Sequence, residues 1–267
     1  LRLTLLHTPK TDKGYTYQDR QDFGYHTFTY SLLPHQGELD KACTAFFKNK
    51  TESIGASRTD AGVHASGQTA SVVLPGKVDT ALFTEKMNGC LPPDIRILDV
   101  ELVKNGFHAR KSAVGKVYEY RIDTGIKQDV FTRKYSGHFP GEPDLARMRE
   151  AAGYLTGTHF FAGYTDKKDN RSVRRTIYSI MIRDERKDFL PCGKSDQIGN
   201  GNCIVIRYDG TGFLYHMVRI LTGTLLEVGM RERTAESVKE ALLTGDRSKA
   251  GFLAPAGGLF LREVRYE

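Results

Sequence analysis

The residues best suited to chemistry crowd into one segment, Gly55-Ala56-Ser57-Arg58-Thr59-Asp60-Ala61-Gly62-Val63-His64-Ala65-Ser66-Gly67-Gln68. Three glycines, three hydroxyl side chains, an arginine, an aspartate and a histidine share fourteen positions, a mixture that core packing does not ask for. Arg58 and Asp60 are two apart, so in an extended segment they project to the same side and can share charge. An ionised carboxylate kept charged by a nearby cation can act as a nucleophile or as a base. The plainer alternative is a turn in which Asp60 caps backbone amides and Arg58 is solvated. Neither G-x-x-x-x-G-K-[ST] nor G-x-G-x-x-G is present, so these phosphate-cradling loops are excluded. A hydrolase built on Ser57, His64 and Asp60 is disfavoured, because the three are sequence neighbours and no G-x-S-x-G elbow exists.

The elements that must position this segment follow from periodicity. Leu39, Ala42, Cys43, Phe46 and Phe47 recur at i, i+3, i+4, i+7 and i+8, which predicts a core-facing helix over 36–48. Strands are expected at Thr69–Leu74 and Ile95–Val103, with a helical segment over 79–89 closed by Leu91-Pro92-Pro93. Further on, Lys116–Ile122 places Tyr118, Tyr120 and Ile122 on one strand face and Val117, Glu119 and Arg121 on the other, the pattern of a half-buried strand. Asp144 stands as an N-cap before Leu145, Met148, Ala152 and Leu155 at helical spacing. Strands at Thr176–Ile182 and Cys203–Tyr208 flank a polar stretch, Asp184–Asn202, that reads as a surface loop. Helical patterns resume over 214–228 and 234–243, and Leu259–Tyr266 closes as a strand. Each half is thus expected to lay helices on a mostly antiparallel sheet, an α+β arrangement, with halves at 1–108 and 109–267.

Composition bounds the class. The 267 residues suffice for one large or two ordinary domains with a core that needs no staples. Lysine and arginine number 39 against 32 acidic residues, a net charge of +7, which leans towards a polyanionic partner without fixing one. No apolar run has the 18 residues a membrane span needs, and the opening Leu-Arg-Leu-Thr-Leu-Leu is too short for a signal-peptide core. The four cysteines form no C-x-x-C pair and no zinc pattern with the eight histidines, so no metal and a reducing compartment are expected. Lys167, Lys168, Arg171, Arg174 and Arg175 crowd into nine positions, and Arg133 with Lys134 forms a second small group. Such clusters are either solvated faces or phosphate contacts.

The run Gly55–Gln68 resembles the G-x-G-R-T-D-A-G-V-H-x-x-G-Q signature of the tRNA pseudouridine synthase A family. Three further segments agree in order: Phe107-His108-Ala109-Arg110 leading into Lys116–Ile122, then Gly212-Phe213-Leu214-Tyr215-His216-Met217-Val218-Arg219, then Ala250-Gly251 to Ala254-Pro255-Ala256-Gly257-Gly258-Leu259. Together the resemblance covers about residues 36–264. It implies that Asp60 is the catalytic carboxylate, with Arg58 beside it and Arg219 as its paired cation. It makes Tyr118 the ring that packs on the uracil and Leu259 the apolar lining of the base pocket. His64, His108 and His216 are read as hydrogen-bonders that position these motifs, and the five-cation cluster becomes a set of phosphate contacts.

The family further implies isomerisation of uridine to pseudouridine in the anticodon arm of tRNA, at positions 38 to 40, without a cofactor. It implies two similar α/β halves sharing a continuous, mostly antiparallel sheet flanked by helices, with the active site in a cleft between them, and a cytoplasmic homodimer. The rivals are a relative acting on other uridines, in tRNA or another RNA, and a non-catalytic RNA-binding or RNA-folding protein on the same scaffold. One departure is local: Ser57 stands where the signature has its second glycine, which predicts an altered backbone there if that position needs positive φ.

Overall fold

The computed structural model describes residues 2–7, 36–73, 78–167, 172–186 and 203–267. Along the chain run β1 (Arg2–His7), α1 (Gln36–Phe47), β2 (Ser53–Gly55), β3 (His64–Val72), α2 (Thr80–Cys90), β4 (Ile95–Glu101), β5 (Ala113–Asp123), β6 (Gly137–His138), α3 (Leu145–Leu155), β7 (Gly157–Phe160), β8 (Arg174–Asp184), β9 (Cys203–Gly210), α4 (Met217–Gly229), α5 (Val238–Thr244) and β10 (Leu259–Tyr266). The fold is α+β, as the alternation of strand and helix patterns predicts. It divides into two compact units, Leu1–Val114 with Phe260–Glu267, and Gly115–Leu259.

In the first unit β1 pairs antiparallel with both β3 and β4, β2 pairs antiparallel with β3, and β10 joins β3 in parallel, with Phe260 opposite His64. The stripe read from Leu39, Ala42 and Cys43 packs with Phe83 and Met87 of α2 and with Ala70, Val72, Ile95 and Ile97 of the sheet. Burial in this cluster pushes the Cys43 thiol up to about 12, with the neighbouring Asp40 charge adding to it. Asp79 starts α2 by accepting from the amides of Ala81 and Leu82. The C-terminal strand is fastened twice more: Tyr266 Oη donates to the Ala109 carbonyl at 2.7 Å, and Arg262 Nη1 donates to Ser66 Oγ at 3.3 Å.

In the second unit β5, β9, β8 and β7 form an antiparallel run, with Tyr118 opposite Tyr208 and Tyr120 opposite Ile206. Asp144 caps α3 through the amides of Ala146 and Arg147, as its position before the apolar stripe predicts. α4 is buried along nearly its whole length, and Tyr208 of β9 meets Thr222 of α4 at 2.8 Å between hydroxyls. Two expectations shift. β5 is not half-buried: Val117 and Glu119 on its second face are both buried, and Glu119 is admitted there because Arg121 and Arg183 lie 3.4 and 3.6 Å from its carboxylate oxygens. α4 begins at Met217 rather than 214, because His216 takes the left-handed conformation at φ 61°. Of the Asp184–Asn202 stretch, Asp184 ends β8 and is gripped by Arg186 at 2.7 Å, while 187–202 lie outside the described residues.

Candidate active site

The signature segment leaves β2 at Gly55 and re-enters the sheet at His64, and four bonds fix its course. Ala56 N donates to the Thr69 carbonyl at 2.8 Å, which carries strand pairing one residue past β2. The buried Gln68 side chain then continues the pairing: Ser57 N donates to its Oε1 at 3.1 Å, and its Nε2 donates back to the Ser57 carbonyl at 2.8 Å. A side-chain amide thus stands in for a strand neighbour, giving Ser57 both of its backbone partners. Serine needs no unusual backbone there, since Ser57 is not among the non-glycine residues with positive φ.

Two residues on, the chain reverses. Val63 N donates to the Asp60 carbonyl at 3.1 Å, and Gly62 sits at φ 83°, the third position of a turn that requires a left-handed residue. Asp60 therefore occupies the first corner of a turn clamped from both sides, and it is half-buried. Arg58 is exposed and forms no ion pair among the described residues, so the local Arg58–Asp60 pairing that the spacing allows is not made within this segment. Below the turn, His64 is buried with its ring stacked on Phe260 at 4.8 Å. Arg110 Nη2 donates to the Gly55 carbonyl at 3.1 Å, and His108 Nδ1 accepts from the amides of Arg110 and Lys111 at 3.2 Å each. The second motif thereby props the first.

The second unit assembles Arg219, Leu259 and their supports around one short turn. Arg219, in the first turn of α4, donates from Nε to the Ala254 carbonyl at 2.7 Å. Tyr120 Oη donates to the next carbonyl, Pro255, at 2.7 Å. A Cβ on Gly258 would stand 2.6 Å from the Tyr120 ring, so only glycine lets the turn lie on that tyrosine. Leu259 follows immediately and is buried. Burial pushes the Tyr120 phenol well above its ordinary range, and the Arg219 charge pulls it back in part, so the phenol is a permanent donor. Tyr118, two residues earlier on β5, is 7% exposed, with the Phe213 ring edge-to-face at 5.3 Å.

The start of α4 is tied to the basic stretch. His216 Nδ1 lies 2.6 Å from Asp166 Oδ2, Arg247 Nε donates to Asp166 Oδ1 at 2.8 Å, and the Tyr215 ring stacks on His216 at 3.7 Å. Burial raises the Asp166 carboxyl, but the bonds from His216 and Arg247 outweigh it and hold the group below its ordinary range. Beyond Asp166, Lys167 and Arg174 are exposed, and Arg175 Nη1 donates to the carbonyls of Ser172 and Arg174 at 2.9 and 2.6 Å. Lys168 and Arg171 lie outside the described residues. Among the described residues no group of three or more His, Cys, Asp or Glu side chains is placed to hold a metal ion, and no helix is long and apolar enough to cross a membrane.

Comparison with known proteins extends these local observations to the whole chain. A family model described as tRNA pseudouridine synthase matches residues 151–267. The tRNA pseudouridine synthase A of Bacillus pumilus (strain SAFR-032) is 37% identical over 251 residues, covering 91% of this chain and 96% of that protein. The chain belongs to the tRNA pseudouridine synthase A family. Members from Thermotoga neapolitana and Bacillus subtilis (strain 168) are 38% and 37% identical, over 86% and 87% of this chain and 89% of each of theirs. The tRNA pseudouridine synthase A family is one of isomerases, a class whose reaction neither oxidises its substrate nor removes a group from it. Sequence reasoning named Asp60, Tyr118, Arg219 and Leu259 but passed over Gln68, Tyr120 and Asp166. The signal for Gln68 is its place as the closing residue of the signature.

Proposed function

We propose that this protein isomerises uridine to pseudouridine in the anticodon arm of tRNA, at positions 38 to 40, with Asp60 as the catalytic carboxylate. The reading is supported above all by the clamp that Gln68 and Gly62 impose on the segment carrying Asp60. A carboxylate that must meet one atom of a bulky nucleotide gains from a backbone that does not move.

The chemistry makes modest demands. The N1–C1′ glycosidic bond breaks, the uracil turns and C5 joins C1′, with no net oxidation and no group lost, so a carboxylate acting as nucleophile or base is a sufficient reactive group. Arg219 serves as the cation that keeps the Asp60 carboxylate ionised, a role suited to a side chain charged at every physiological pH. Drawing the uridine from its stack costs a few kcal/mol, and stacking on the Tyr118 ring recovers about 1–3 kcal/mol. Leu259 packs against the base, and His64 supports the turn from below. Arg58, being exposed, meets the RNA rather than the carboxylate. Lys167, Lys168, Arg171, Arg174 and Arg175 contact phosphates, and a cytoplasmic homodimer is the working form.

The test is turnover on unmodified tRNA tritiated at uracil C5. The wild type releases tritium, and mapping of the product places pseudouridine at positions 38 to 40. Asp60→Asn abolishes release while tRNA binding persists. Equal activity in Asp60→Asn overturns the assignment, modification at other uridines points to a different specificity, and binding without turnover on any RNA leaves only the scaffold.

A further inference from the structure

The left-handed backbone at His216 is uncommon for a residue with a side chain, and it stands three positions before Arg219. A conformation of that kind persists where the surrounding structure over-determines it. Here the surroundings grip the residue from several sides. Thr165 Oγ1 donates to the Tyr215 carbonyl at 2.8 Å, and the Tyr215 ring stacks on the imidazole with centroids 3.7 Å apart. The imidazole, 6% exposed, places Nδ1 2.6 Å from Asp166 Oδ2. A carboxylate only accepts, so Nδ1 carries the proton. The His216 carbonyl in turn accepts from Ile220 N at 3.0 Å, a bond of the first turn of α4.

Asp166 has a second oxygen, and it completes a circuit. Arg247 Nε donates to Oδ1 at 2.8 Å, while its Nη1 donates to the Gly251 carbonyl at 2.9 Å. Three residues after Gly251, Ala254 exchanges two bonds with Arg219, and three residues before Arg219 stands His216. The path thus returns to Asp166 through side-chain bonds joined by short runs of backbone. Gly251 N also donates to Thr224 Oγ1 at 2.8 Å, and the missing side chain of Gly223 lets the Phe252 carbonyl lie against α4. Opening the circuit at Asp166 loosens both supports of Arg219, the helix start and the turn at 251–254.

The carboxylate is delivered from a fixed base. Tyr164, fully buried, donates to the Val238 carbonyl of α5 at 2.8 Å. A Cβ on Gly163 would stand 2.5 Å from the Ala241 carbonyl, so only glycine lets this turn seat on α5. Thr165 and Asp166 follow directly. A side chain carried by such a base holds its partners in place rather than adapting to them.

We propose that Asp166 is a positioning residue for the reaction: by holding His216 and Arg247 at once it sets the start of α4 and the turn at 251–254, and so fixes the direction of the Arg219 guanidinium. The task asks for two acceptor oxygens on a short stem, which aspartate supplies. This inference rests on the reading of Arg219 as the cation that serves the catalytic carboxylate, and it adds a residue outside the signature segments on which turnover depends.

The experiment compares Asp166→Ala, Asp166→Asn, Arg219→Lys and the double variant of Asp166→Ala with Arg219→Lys on unmodified tRNA, and follows solvent exchange of the Arg219 Nε proton by NMR. Asp166→Ala lowers kcat by about 10- to 100-fold, the effect of a small misplacement in a site, with KM within about threefold of wild type. Asp166→Asn, able to accept from Arg247 and to donate to Nδ1 of the other His216 tautomer, recovers part of the loss. The double variant is no slower than the slower single variant, because both changes act on one guanidinium. The Arg219 Nε proton exchanges at least about tenfold faster in Asp166→Ala while amides of β9 exchange as in wild type, which separates a lost aim from general unfolding. Unchanged kcat and Nε exchange in Asp166→Ala overturn the proposal, and so do losses that multiply in the double variant. A wild type that binds tRNA but turns nothing over refutes the catalytic reading, while the exchange of the Arg219 Nε proton still decides whether Asp166 holds that side chain.

Discussion

Arg219 and Ala254 hold each other twice: the Arg219 Nε donates to the Ala254 carbonyl at 2.7 Å, and the Ala254 amide donates to the Arg219 carbonyl at 3.3 Å. The first turn of α4 and the turn that delivers Leu259 therefore form one unit, and the guanidinium proposed to face the carboxylate is aimed by a backbone carbonyl rather than by its own stem.

Replacing Arg219 separates charge from aim. Arg219→Lys keeps the cation but loses the fork that reaches Ala254, and it is expected to lower kcat by at least tenfold with little change in KM. Arg219→Ala is expected to lose about 1.5–3 kcal/mol of stability as well, the worth of a charge-assisted hydrogen bond. Urea unfolding and single-turnover rates measure the two effects separately. A kcat in Arg219→Lys equal to wild type would show that the aim is unimportant.

Gln68 contributes structure to the site by bonding both backbone groups of Ser57. Gln68→Ala leaves the Ser57 amide and carbonyl without their partner in a buried position, which is expected to cost about 1–3 kcal/mol for a group so stranded. Because the Asp60 turn loses its clamp, kcat falls while tRNA affinity, carried by surface cations, stays near wild type. Denaturant titration and filter binding check the pair of outcomes.

The Asp166 carboxyl gives a pH signature. Its folded value is held below the ordinary range, so the stabilisation is present at neutral pH and is lost as pH falls through that lowered value. Asp166→Asn is therefore expected to be less stable than wild type at pH 7, and the two are expected to converge as pH falls below the ordinary carboxylate range and through the lowered folded value. Thermal melts across that range decide it, and parallel curves would remove Asp166 from the account.

Thiol reactivity follows burial. Cys43 and Cys203 are pushed up to about 12 and about 11, chiefly by burial, whereas Cys90 is exposed. At pH 8 a thiol at about 12 is ionised in roughly one molecule in ten thousand. Brief alkylation of the native protein followed by peptide mass mapping is expected to label Cys90 and spare Cys43 and Cys203, with all three labelled after unfolding.

Local signals in the sequence carried most of the fold. The spacing from Leu39 to Phe47 sets α1 within one residue of its end, and Asp144 caps α3 where its position before an apolar stripe says it should. What could not be read was every feature that depends on a distant partner. Glu119 looks like an outward strand residue until Arg183, sixty-four positions away, is placed beside it. Tyr120 reads as plain core, yet its hydroxyl holds Pro255. His216 reads as helix, but a carboxylate from Asp166 and a left-handed backbone set it just before the helix begins. Arg58 is exposed, which matches the solvated alternative that the segment also allowed rather than the local pair that its spacing from Asp60 permits.

The parallel pairing of β10 with β3 has a bearing on how the chain is made. Phe260 lies opposite His64 across nearly two hundred residues of sequence, so the first unit cannot complete its sheet until the last strand has left the ribosome. The segment carrying Asp60 is translated early and then waits, with the flank of β3 uncovered, while the whole of the second unit is synthesised. Removal of residues 260–267 is expected to leave that flank of β3 without its parallel partner and the first unit with an unpaired strand edge exposed to aggregation.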